Sequence, residues 1–163
     1  MTTTPTHRPL LSILTLTCAV CLMGFPAKAE EDSTASVKTA AMQFYEALNT
    51  MFTGEVGPML EVWSHSDDVT YMGPQGGLYV GWENVRPQWE IQAAAKLGGT
   101  IKPEEMQIFV GQNLAVVQDF EMGENLNIEG KTVQVSLRAT NIFRKEDGQW
   151  KMISHQTDLL PGL

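Results

Sequence analysis

His155, Asp119 and Asp158 are the side chains that could carry acid–base chemistry, and Arg138 with Thr140 lies close by in sequence. An imidazole titrates near neutral pH, so His155 could hydrogen-bond a ligand or move a proton with one of the two aspartates as partner. The plainer reading is a half-buried strand histidine satisfied by backbone. Arg138 sits on a stretch that otherwise looks buried, and a guanidinium there must be paired or must face a ligand. It could clamp a carboxylate or an oxyanion, or form an internal salt bridge with Asp119 or Asp158. Trp63, Tyr71, Tyr79, Trp82 and Trp89 would give apolar walls to a pocket for a ring-bearing ligand. Tryptophans at helical spacing also serve as plain core.

Other chemistries lack their residue patterns. His65-Ser66-Asp67-Asp68 offers oxygen and nitrogen ligands, but the chain has no His-x-His or His-x-x-x-His, and no metal site is expected. The glycines from Gly73 to Gly81 are not followed by Gly-Lys-Ser/Thr, which argues against a phosphate-binding loop. Gly-x-Ser-x-Gly is absent as well. No cofactor is called for.

The elements that must position these residues follow from periodicity. Val133, Val135, Leu137, Ala139 and Phe143 share one parity, with Gln134, Ser136, Arg138, Thr140 and Arg144 on the other, as in a strand with two faces. Glu146-Asp147-Gly148 supplies a hairpin turn, and the chain returns through His155, so Arg138 and His155 belong to neighbouring strands. Earlier, Val37, Ala40, Ala41, Phe44, Tyr45, Leu48 and Phe52 mark an amphipathic helix ended by Gly54. Pro58 opens a short second helix, and residues 69–72 and 78–80 form short strands about a Gly-rich turn. Trp82, Val85, Trp89, Ala93 and Leu97 predict a third helix stopped by Gly98-Gly99, with Pro87 in its first turn. From Ile101 the period becomes two. Helices first and an antiparallel meander last give an α+β domain.

The run Arg138-x-Thr140-x-x-Phe143-Arg144, the turn exit Gly148-x-Trp150-Lys151 and His155 near the end of the last strand resemble the C-terminal signature of the SnoaL-like proteins. These are a branch of the nuclear transport factor 2-like superfamily, which includes ketosteroid isomerases, polyketide cyclases and the calcium/calmodulin-dependent kinase II association domain. The likeness runs over roughly residues 35–160. It implies a cystatin-like cone in which a curved antiparallel sheet wraps N-terminal helices around a pocket, with His155 and Arg138 pointing into it, and it implies homodimers. It does not imply a reaction, since one fold hosts catalysts, binders and assembly modules. Matched to the ketosteroid isomerases, Met72 stands at the proton-shuttling aspartate and Phe44 at the oxyanion-donating tyrosine, so that isomerase chemistry is not expected.

Composition and charge complete the reading. The chain is 43% hydrophobic and 18% charged over 163 residues, enough for one domain with a core. The apolar run Leu10 to Met23, flanked by His7-Arg8 and followed by Ala27-Lys28-Ala29, predicts a signal peptide over residues 1–29. Residues 30–35 would then be a flexible leader and 36–163 the SnoaL-like domain, placed in the periplasm or secreted. Cys18 and Cys21 would leave with the signal, so the mature domain would carry no disulfide. Losing Arg8 and Lys28 leaves 9 Lys and Arg against 19 Asp and Glu, a net charge of −10. That balance disfavours nucleic acid and stable association with an anionic membrane. Three functions remain open: a small-molecule binding protein, a lyase, isomerase or hydrolase using His155 with a carboxylate, and a non-catalytic association module.

Overall fold

The structure is a computed structural model and describes Met1 and residues 27–127 and 129–160. The expected signal segment therefore lies largely outside the described residues. Three helices, α1 (Ala27–Met51), α2 (Gly57–Val62) and α3 (Trp82–Ala95), pack against six strands. These are β1 (Thr70–Met72), β2 (Tyr79–Val80), β3 (Thr100–Val110), β4 (Leu114–Leu126), β5 (Thr132–Glu146) and β6 (Gln149–Leu159). They form one curved sheet in the order β2-β1-β6-β5-β4-β3, with β1 parallel to β6 and the other pairs antiparallel. The α+β class expected from the sequence is the one observed.

Two details set which side chains face inward. Asp147 and Gly148 both have positive φ, at 48° and 83°, which is the geometry a two-residue hairpin needs. Further along the hairpin the β5–β6 register shifts between Ile142 and Phe143, so that Ile142 pairs with Ser154 while Phe143 pairs with Met152. The extra residue in β6 lets Met152 and His155, three apart in sequence, both lie buried on the helix side of the sheet.

Helix α1 lays Val37, Ala41, Phe44, Tyr45, Leu48 and Met51 against that inner face, and α3 adds Val85, Trp89 and Ala93. Residues 30–35, read above as a leader, continue α1 toward its start at Ala27. Asn49 stitches α1 to the head of β3, its Nδ2 donating to the Ile101 carbonyl at 2.9 Å and its Oδ1 accepting from the Ile101 N–H at 2.8 Å. Gly99 is required just before β3, because a Cβ there would run into the Glu124 carbonyl oxygen. Pro87 is the sixth residue of α3 rather than part of its first turn, so the helix forgoes the internal hydrogen bond to Glu83. Arg144 clasps the loop after α2, donating from Nη1 to Asp68 at 2.6 Å and from Nη2 to Ser66 at 2.6 Å.

Candidate functional site

Alternation along three adjacent strands brings four polar residues, Asp119, Glu121, Asn141 and His155, together on the inner face. Strand β4 turns Ala115, Val117, Asp119 and Glu121 inward, β5 turns Ala139, Asn141 and Phe143 inward, and β6 contributes His155. Opposite them, the α1 stripe presents Tyr45. All five of Tyr45, Asp119, Glu121, Asn141 and His155 are buried, His155 being 4% exposed.

Their polar atoms form one connected chain. The Tyr45 hydroxyl donates to Asp119 Oδ1 at 2.6 Å and lies 3.2 Å from Glu121 Oε1. Asn141 Nδ2 donates to the Tyr45 oxygen at 3.3 Å, and Asn141 Oδ1 is 2.6 Å from His155 Nδ1. The other ring nitrogen, Nε2, faces Glu121 Oε1 at 3.9 Å. Around this chain the rings of Phe44, Tyr71 and Trp89 lie 5.0 Å, 5.9 Å and 5.9 Å from the imidazole, Tyr71 stacked nearly parallel to it.

Among the described residues no lysine or arginine ion-pairs with either buried carboxylate, and the electrostatics follow from that. Burial pushes Glu121 up to about 8, with the neighbouring Asp119 charge adding to the effect, so Glu121 holds its proton at neutral pH. Burial also raises Asp119, to about 6, against the opposing hydrogen bond from Tyr45. His155 is pushed down to about 3 by burial and is neutral. Tyr45 is held well above the ordinary phenol range, first by burial and then by the two carboxylates. The site thus combines a protonated carboxyl, a neutral imidazole and a phenol within one hydrogen-bonded cluster, a set suited to giving and taking protons. Asp119 Oδ2, Thr157 Oγ1, Trp63 Nε1 and Trp89 Nε1 are buried without a hydrogen-bond partner among the described residues.

The structure separates residues that the sequence grouped. Arg138 and Thr140 lie on the outer face of the sheet, opposite in parity to Ala139 and Asn141, so Arg138 and His155 are on opposite faces. Its partner is Asp158, with Arg138 Nε donating to Oδ1 at 2.8 Å, but the pair is exposed, with side chains 57% and 51% accessible. Asp158 is therefore no partner for His155 either. Asp119 does join His155, through Tyr45 and Asn141. Of the aromatic set, Trp63, Tyr71 and Trp89 are buried beside the cluster, Tyr79 stacks on Tyr71 at 6.0 Å, and Trp82 stacks on His65 at 4.3 Å, farther out. Met72 pairs with Gln156, whose side chain is exposed.

The sequence reading passed over Tyr45, Glu121 and Asn141. Each left a trace: Asn141 stands between Ala139 and Phe143 on the apolar parity, Glu121 shares parity with Val117, and Tyr45 lies in the apolar stripe of α1. Phe44, matched by resemblance to a catalytic tyrosine, packs on the imidazole, and it is Tyr45 beside it that brings a hydroxyl to the polar cluster.

The SnoaL-like domain model matches residues 37–158, which is most of the chain. The chain belongs to the SnoaL-like family. A comparison with curated proteins finds no match. Among solved structures, a candidate dehydratase of the nuclear transport factor 2-like family from Streptomyces avermitilis is similar, at TM-score 0.72 and 20% identity, covering 81% of this chain and 99% of that one. A superfamily protein from Salmonella enterica serovar Typhimurium gives TM-score 0.71 at 13% identity, over 82% of this chain and 96% of that one. A candidate calcium/calmodulin-dependent kinase II association domain from Thiobacillus denitrificans gives 0.62 at 21%, over 76% and 94%. At these identities the likeness is one of fold. This SnoaL-like chain has the nuclear transport factor 2-like architecture.

Proposed function

We propose that this SnoaL-like protein binds a small, largely apolar or ring-bearing molecule against the buried cluster and moves a proton on it. The observation that carries this reading is the meeting of two carboxyl groups, a phenol and an imidazole between α1 and the inner face of the sheet, with no lysine or arginine paired to them among the described residues. A core serving stability alone does better without such groups, because each buried polar atom costs free energy unless fully paired. Asp119, ionised at neutral pH, and the neutral His155 linked to it through Tyr45 and Asn141 would together take the proton from a C–H next to a carbonyl, the aspartate being the stronger base of the two. Protonated Glu121 would donate to the carbonyl oxygen as charge develops there, or to a departing hydroxyl, which leaves as water. Isomerisation and dehydration are the two net reactions this arrangement serves, and the Streptomyces avermitilis relative described as a candidate dehydratase is consistent with the second.

A test that needs no knowledge of the natural substrate is proton exchange. In D2O, a panel of cyclic ketones should lose α-protons faster with the protein than without it, and His155→Gln should reduce the catalysed rate by about 10²–10⁴-fold. No catalysed exchange with any ring ketone would count against the reading.

A second reading, a non-catalytic association domain, is favoured by the close packing of Phe44 and Trp63 on Trp89, with ring centres 6.3 Å and 5.6 Å away. The association-domain description of the Thiobacillus denitrificans relative accords with it. In either case we place the chain outside the cytoplasm after cleavage behind Ala29, and as a homodimer. The outer face exposes Phe109 and carries Phe120 and Ile142 half-buried, an apolar surface that a second copy would cover.

A further inference from the structure

We infer that Asn141, oriented by Tyr45, is a positioning residue that holds His155 as the Nδ1–H tautomer and turns a bare Nε2 toward Glu121. Proton counting along the cluster leads there. Tyr45 has one hydroxyl proton, and its 2.6 Å approach to Asp119 Oδ1, against 3.3 Å to Asn141 Nδ2, gives that proton to the carboxylate. The phenol oxygen can then only accept from Asn141, whose amide is thereby fixed with Nδ2 toward Tyr45 and Oδ1 toward the ring. An amide oxygen 2.6 Å from His155 Nδ1 requires an N–H on that nitrogen. A neutral imidazole carries one N–H, so the lone pair sits on Nε2, the atom 3.9 Å from Glu121 Oε1. The reverse orientation would make Tyr45 donate over the longer distance to a neutral amide in place of a carboxylate. Asn fits the position because its short side chain accepts from one neighbour and donates to the other, and Asn141 and His155 are direct cross-strand partners.

The inference rests on the proposed acid–base role only for its effect on turnover, since the tautomer is a property of the folded chain. Nitrogen-15 NMR of the full-length protein with labelled histidine reads it directly. For His155 the expected spectrum has a protonated Nδ1 and an unprotonated Nε2. In Asn141→Leu, and in Tyr45→Phe should the first variant fail to fold, that single tautomer should give way to a mixture with Nε2–H. A packing role alone predicts no such change, because leucine and phenylalanine fill nearly the same space. An Nε2–H tautomer in the wild type, or a tautomer unmoved by both substitutions, would overturn the inference. A wild-type Nδ1–H tautomer together with no catalysed ketone exchange would support it while refuting the proposed reaction.

Discussion

His155 Nε2 and Glu121 Oε1 face each other 3.9 Å apart on the inner face of the sheet, both side chains 5% exposed. Burial shifts both toward their neutral forms: the carboxyl is kept protonated at neutral pH, and the imidazole is kept from protonating as the pH falls below it.

Stability should therefore depend on pH in a definite sense. The Glu121 pKa is raised from 4.5 to about 8 on folding, so the native state binds more protons than the unfolded chain between those values. Its favourable contribution is complete below 4.5 and is lost as pH rises through about 8. Asp119 acts in the same direction up to about 6. His155 acts oppositely: its depressed pKa gives stability present above 6.5 that declines as pH falls toward 3. Denaturant unfolding at several pH values should show a maximum at about pH 4, above which the losses from Glu121 and Asp119 outweigh the gain from His155. Glu121→Gln should flatten the loss above pH 6, and an alkaline limb unchanged in that variant would contradict the assignment.

Arg138→Met should change folding little. The exposed Arg138–Asp158 pair leaves no buried charge behind when broken, and exposed pairs add little to stability. A melting temperature close to that of the wild type is expected, whereas a large drop would mean that the arginine is buried in solution.

How much was legible in the sequence differs between the fold and the site. The hairpin around Asp147-Gly148 and the α1 stripe could be read because local rules, positive φ at a turn and apolar spacing on a helix, decide them. The placement of Arg138 was also available, since parity set it opposite Leu137 and Ala139, but resemblance argued for the cavity and geometry decides against it. Asn141 and Glu121 were harder to see, because a polar residue on an apolar parity reads as noise until adjacent strands bring several such residues together. The β6 bulge that puts His155 on the inner face depends on pairing with β5, which no local pattern encodes.

The outer face of the sheet should be covered by a second copy. Sedimentation at tens of micromolar should give a dimer, and Phe109→Lys, which places a charge on a side chain 59% exposed in the single chain, should shift it toward monomer. A wild-type monomer at that concentration would count against pairing.

Processing is read most simply from intact mass. Protein made in its native host should begin at Glu30, after removal of the apolar run and both cysteines. A chain that keeps Met1 and fractionates with membranes would contradict export of a soluble domain.

The most direct test of the interior site is mass spectrometry of what the protein retains when purified from its native host. The wild type should carry a small molecule with a ring-bearing or apolar body and a hydrogen-bond-accepting group. The double variant Glu121→Gln, His155→Gln should retain at least roughly ten-fold less, on the scale of losing a strong hydrogen bond. Equal retention by the two proteins would place any ligand elsewhere, and a wild type that carries nothing would favour the association-domain reading.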